Sequence, residues 1–131
     1  MAAYFQLSAR TDGQLVFQLK TGREQVLLTS PPFASKQAAR LGIESVRSNS
    51  QRAARYVRMV DKETACYFVI VSDIGKIAGT SEIFPSRAAL ESGVRLVMIR
   101  GATTVIKEAG AVPDAQDNPI RRRALAGGTR T

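Results

Sequence analysis

The chain has 131 residues and a net charge of +8, and it is 44% hydrophobic, a composition that suits one globular unit. It contains no histidine and one cysteine, which removes the commonest general base and metal ligand near neutral pH and excludes an internal disulfide framework. No apolar run reaches the roughly 20 residues of a membrane span, and Met1 to Gln6 lacks the charged start and apolar stretch of a signal peptide, so a cytoplasmic protein with no membrane partner is expected.

Tyr4 to Ala9 alternates weakly, and Leu15, Phe17 and Leu19 alternate with Val16, Gln18 and Lys20, as strands with one buried face require. Asp12-Gly13 between them predicts a hairpin, because glycine accepts positive φ. Thr21 to Glu24 turns the chain into a third strand over Gln25 to Ser30, which Pro31-Pro32 ends by withholding amide donors. Ser35 caps a helix from Lys36 to about Asn49, with Ala39, Gly42, Ile43 and Val46 inward and Arg40, Glu44 and Arg47 outward. Gly42 costs about 1 kcal/mol against alanine in a helix, which close approach of the helix to the sheet would explain.

The pattern then returns: strands over Tyr56 to Asp61, Cys66 to Val71 and Lys76 to Ser81, and a helix from Ser86 to about Arg100. The offset is fifty-one residues. Thr29-Ser30-x-x-Phe33-x-Ser35-Lys36 matches Thr80-Ser81-x-x-Phe84-x-Ser86-Arg87, and Phe17, Leu19, Gly42, Ile43 and Val46 match Phe68, Ile70, Gly93, Val94 and Val97. After Gly101, Ala102 to Ile106 is β-prone and is expected to add an edge strand. Two repeats, about 4–54 and 55–108, are expected to share one core in a single domain over 1–108, since fifty residues alone bury a marginal core. Residues 109–131, rich in Pro, Gly and Arg, are expected to form a disordered basic tail.

The string from Thr29 to Asn49, with Asp12-Gly13-Gln14 and Phe17-x-Leu19-Lys20 before it, resembles the YegP-like family of small uncharacterised bacterial proteins over residues 4–107. The resemblance implies an α+β fold: two tandem β-β-β-α-β repeats forming one continuous antiparallel sheet, both helices on one face, and terminal strands exchanged between repeats. It implies no activity. The second repeat departs further from the family pattern, with Lys62 to Ala65 in place of an Asp-Gly hairpin and Leu96 and Arg100 where the first keeps Ser45 and Asn49. In the first, Pro31 replaces the glutamate that the second keeps as Glu82.

No phosphate loop, zinc spacing or nucleophile elbow is present, so neither catalysis nor a cofactor is expected. Cys66 aligns with the inward Leu15 and reads as a buried structural thiol. The pairs Asp61 with Glu63 and Asp73 with Glu82 read as exposed turn carboxylates. Thr29-Ser30 with Ser35-Lys36, and their counterparts, could hold an oxyanion at a helix start, but serve equally as caps. Tyr67, Val69 and Val71 stand where the first repeat has Val16, Gln18 and Lys20. That apolar stripe on the outer sheet face is the candidate protein interface, for a homodimer or another protein partner. Arg121, Arg122 and Arg123 are the candidate anion or nucleic-acid contact, the alternative function. The rest of the charge is spread, with surpluses of three, three and two over residues 1–51, 52–108 and 109–131.

Overall fold

A computed structural model describes residues 2–60 and 66–108. In chain order they form β1 (Tyr4–Ala9), β2 (Leu15–Lys20), β3 (Val26–Thr29), α1 (Lys36–Asn49), β4 (Tyr56–Val60), β5 (Cys66–Val71), β6 (Ile77–Ser81), α2 (Arg87–Arg100) and β7 (Ile106–Glu108). The seven strands make one sheet in the order β4-β5-β6-β3-β2-β1-β7. Phe5, Leu7, Phe17, Leu19, Leu28, Phe68 and Ile70 point to one face, where they join Ala39, Ile43 and Val46 of α1 and Leu90, Val94 and Val97 of α2 in one buried cluster. The protein is α+β.

Both helices start where the sequence puts them. The Ser35 hydroxyl accepts the amide of Ala38 and the Ser86 hydroxyl that of Ala89, each at 3.1 Å, relieving one of the unpaired donors of the first turn. Before each helix a short bridge closes the sheet: Phe33 pairs with Leu15 and Phe84 with Cys66. The ring of Phe33 stacks on Phe17 and that of Phe84 on Phe68, with centroids 5.9 and 6.1 Å apart. Those rings explain the helix glycines. A Cβ on Gly42 would lie 2.5 Å from Phe33 Cζ, and one on Gly93 2.4 Å from Phe84 Cζ, so the close neighbour is an aromatic ring from the bridge and not the sheet backbone.

Ser30 and Ser81 are buried beside these rings. Each hydroxyl accepts the amide of the phenylalanine on the next strand, Phe17 or Phe68, at 2.9 Å and donates to the carbonyl of the following residue. The centre of the sheet is an antiparallel seam in which Leu28 faces Ser81 and Thr29 faces Thr80. Thr29 and Thr80 lie fifty-one residues apart in the chain.

The sheet is mixed, which corrects the expectation of a continuous antiparallel one: β7 runs parallel to β1, with Phe5 opposite Ile106. The chain leaves α2 at Gly101, which abuts Ser50 at the end of α1, and so arrives at the starting end of β1. There the Thr103 hydroxyl donates to the Ala3 carbonyl and the Phe5 amide to the Val105 carbonyl. These bonds and the turn between Arg100 and Thr103 occupy Ala102 to Val105, so the edge strand falls at Ile106–Glu108 and not over Ala102 to Ile106. Arg47, expected to face solvent, donates through Nε to the Thr103 carbonyl.

Glu108 is held by Lys36 at 3.0 Å and Arg40 at 3.2 Å. The hydrogen bond from Lys36 and the two positive charges keep its carboxyl below the usual carboxylate value. A carboxyl lowered in the folded chain stabilises it above the unfolded value of about 4.3, and that contribution disappears as pH falls through the folded value. The melting temperature of the wild type should therefore exceed that of Glu108→Gln at pH 6, and the two should converge near pH 3; a gap that persists in acid would refute the pairing's role.

The turns before β3 and β6 have the same bonding. Thr21 and Ser72 each accept two amides through the side chain, and their own amides donate to Gln25 and Lys76. The left-handed position is Gly75 in one (φ 82°) and Glu24, not Gly22, in the other (φ 67°). A side chain there costs about 1–2 kcal/mol, partly offset by the lower entropy of a non-glycine residue in the unfolded chain. Glu24→Gly should stabilise the protein by about 0.5–1 kcal/mol and Gly75→Ala destabilise it by about 1 kcal/mol, measured by denaturant unfolding.

Candidate functional site

The face of the sheet opposite the helices changes character from one edge to the other. One cross-strand row runs Lys107, Gln6, Gln18, Thr29, Thr80, Val69 and Val57. It is polar or charged over β7, β1 and β2, hydroxylic at the seam, and aliphatic over β5 and β4. Tyr4, in the neighbouring row, takes the Lys107 ammonium over its ring at 4.2 Å, a polar use of an aromatic. Its opposite number on the far side is the Met59 and Tyr67 pair.

Of the three residues picked from the sequence, Tyr67 and Val71 are half-buried and Val69 is buried, with 7% exposed. Val69 is covered because Val57 and Thr80 flank it directly. The accessible part of the patch lies on β4, in Val57 and Met59, which are 41% and 40% exposed. Alternation alone does not single these out, since the text of β4 is equally compatible with a strand covered on both faces. β4 pairs with β5 alone among the described residues, leaving one row of backbone donors and acceptors open. On its inner side Arg58 forms a fork with Glu91 of α2, at 2.6 and 2.9 Å. That hydrogen bond chiefly holds the Glu91 carboxyl below the usual carboxylate range.

The other candidates are not brought together. Arg121, Arg122 and Arg123 lie outside the described residues, as do Asp61 and Glu63. Asp73 and Glu82 line different clefts. The Ser30, Ser35, Ser81 and Ser86 hydroxyls are engaged with backbone groups, which makes them structural. Among the described residues no three His, Cys, Asp or Glu side chains gather as a metal site.

Two clefts escape sequence reasoning because each combines segments from both halves of the chain. One, of about 700 Å³, lies between Gln25 to Leu27 and the face of α2 carrying Ser92, Gly93 and Leu96. The other, of about 600 Å³, lies between Ile77 and Ala78 and the face of α1 carrying Leu41, Gly42 and Ser45. No helix among the described residues is long and apolar enough to cross a membrane.

Cys66 is buried and its carbonyl accepts the Phe84 amide at 2.7 Å, so its thiol reacts only when this corner opens. Iodoacetamide should modify the native chain at least about 100-fold more slowly than the denatured chain. Comparable rates, followed by mass spectrometry, would reveal an accessible nucleophile.

Residues 11–56 match a domain of unknown function (DUF1508). The chain is 40% identical over 108 residues to a UPF0339 protein of Shewanella oneidensis, covering 82% of this chain and 98% of the relative. To the UPF0339 protein YegP of Escherichia coli K12 it is 34% identical over 108 residues, again covering 82% and 98%. The solution NMR structure of a UPF0339 protein from Shewanella oneidensis matches with a TM-score of 0.78 at 39% identity, over 84% of this chain and 93% of the other. That of yegP from E. coli, a protein of unknown function, matches with a TM-score of 0.78 at 34% identity, over 84% and 95%. Alike in sequence and in fold over most of its length, the chain belongs to the YegP-like UPF0339 family, whose domain has no assigned function.

Proposed function

We propose that this protein is a non-catalytic interaction module made of two copies of one β-β-β-α unit, and that it associates with protein through the outer face of β4 and β5. Residues 1–108 are read as one domain. In this reading β7 is a terminal strand given by the second copy to β1 of the first. The like-for-like pairs support it: Phe33 on Phe17 with Phe84 on Phe68, Ser30 with Ser81, and Gly42 with Gly93.

The observation that carries the association is the aliphatic end of the outer row. Val57, Met59, Tyr67 and Val71 form a contiguous, partly exposed apolar patch around Val69 at an open strand edge, whereas the matching end around Gln6 and Gln18 is polar. Burying such a patch gains about 25 cal/mol per Å² of apolar surface, and soluble monomers rarely leave one uncovered without use. A homodimer and a protein partner both satisfy it.

Val57→Lys with Tyr67→Lys tests this reading. Both positions keep access to solvent, so the variant should fold and lose self-association in sedimentation velocity, or lose protein partners recovered from native extracts after nuclease treatment. If neither changes, the sheet face is not the interface. If RNA retention instead falls on replacing Arg121, Arg122 and Arg123 with Gln, and falls steeply with salt, the nucleic-acid alternative takes its place.

A further inference from the structure

The cleft along α2 is distinct from the sheet face, and it has a polarity. Ala89, Ser92, Gly93, Leu96 and Val97 present one face of the helix to it, with Leu27 and Phe84 on the other walls. Its volume, about 700 Å³, lies in the range of small-molecule sites, about 300–1,000 Å³. Gln25 and Leu96 also line a smaller recess of about 330 Å³, which Thr21, Gly22, Arg23 and Arg100 complete. The recess thus continues the cleft one turn further, toward the end of α2, roughly 16 Å along the helix from Ala89.

Arg23 and Arg100 flank that recess, and neither enters an ion pair among the described residues. Arg100 complements the negative end of the helix dipole, but Arg23, on the turn before β3, has no such duty. Glu82 lines the cleft and not the recess. A ligand with its negative group between the arginines keeps that charge away from the carboxylate.

The second cleft supplies the contrast. Its lining includes Phe33, Leu41, Ile74 and Ile77 with one cation, Lys76, and one carboxylate, Asp73, and at the fifty-one-residue offset its counterparts of Arg23 and Arg100 are Ile74 and Asn49. The Asn49 amide is committed to Ser45, through both its carbonyl and its hydroxyl. Among the described residues the recess of the α2 cleft is lined by two arginines and no carboxylate, whereas the α1 cleft is lined by one cation, Lys76, together with Asp73.

We propose that the α2 cleft binds an amphipathic anion, with an aliphatic body along Leu27, Phe84 and Val97 and a carboxylate or phosphate head between Arg23 and Arg100. Arginine forks suit either head group. The full ¹⁵N-labelled chain would be titrated with decanoate, decyl phosphate, decanol and inorganic phosphate. Decanoate or decyl phosphate should shift the amides of Gln25 to Leu27 and Ser92 to Val97, leaving Leu41 to Ser45 and Ile74 to Ala78 unmoved; which of the two binds more tightly identifies the head group. Arg23→Gln with Arg100→Gln should weaken binding by about tenfold or more, the loss expected for charge-assisted hydrogen bonds. Arg23→Gln alone, in an exposed turn, should reproduce part of that loss with an unchanged melting temperature. Decanol binding as tightly as the anions, inorganic phosphate binding as tightly as decyl phosphate, an equal response at the α1 cleft, no response to either amphiphile, or unchanged affinity in the arginine variants would each overturn the proposal.

Discussion

The constraint on which the structure depends is the shortness of its central seam. β3 and β6 share two residue pairs, Leu28 with Ser81 and Thr29 with Thr80, too few to hold two half-sheets together through backbone bonds worth about 1 kcal/mol each. The helices make up the difference by lying across the seam. α1 rests on β2 and also on β5 and β6, and α2 on β5 and also on β3. Each half thereby covers part of the other's apolar face, and neither half has a closed core of its own. Gly42 and Gly93 follow from this placement, since each helix must settle over a phenylalanine ring from its own bridge. So do the buried serines: Ser30 and Ser81 satisfy the strand amides of Phe17 and Phe68 where the ladder ends at the seam.

Elements governed by local rules were legible in the sequence. Alternation located β1 and β2, the fifty-one-residue repeat located β5, and Ser35 and Ser86 located both helix starts, because a cap depends on three residues of backbone and one hydroxyl. What the sequence concealed depends on distant partners. The parallel direction of β7 follows from where Gly101 meets Ser50, a contact between helix ends that no local pattern encodes. The turn before β3 contains Gly22, yet the left-handed residue is Glu24, because the Thr21 side chain fixes the loop's register from its first position. The candidate site was half legible. The stripe of Tyr67, Val69 and Val71 is on the outer face, but its accessible portion is on β4, and burial of Val69 depends on cross-strand neighbours that a sequence does not name.

The two halves are most alike where a substitution would cost most. Inward residues such as Phe17 and Phe68, or Val46 and Val97, are held by packing volume, since replacing either by a smaller side chain leaves a cavity. The outer face and the cleft rims carry no such penalty, so a glutamine can stand at one end of the row and a valine at the other without disturbing the core. Exposed Val57 and Met59 nevertheless lower solubility, and the cations Arg23 and Arg100 near one another repel. Their contribution to the fold is small: Val57 flanks Val69 on the outer face but stays 41% exposed, Arg100 complements only the end of its own helix, and neither arginine pairs with a carboxylate among the described residues.

Side chains whose cost in the isolated chain exceeds the little they do within it are best explained by contacts made outside it. The two groups also differ in chemistry. An aliphatic patch bordered by an open strand edge is broad and shallow, which suits a surface of similar shape. A cleft closed on two sides, with cations at one end and a carboxylate set back within it, suits a small molecule of defined polarity. The two lie on opposite faces of one sheet whose seam is bridged by both helices, so a ligand seated along α2 presses on Leu27 and Leu96, residues that belong to or pack against the core uniting the halves. Occupancy of the cleft and stability of the scaffold presenting the outer face therefore draw on the same contacts.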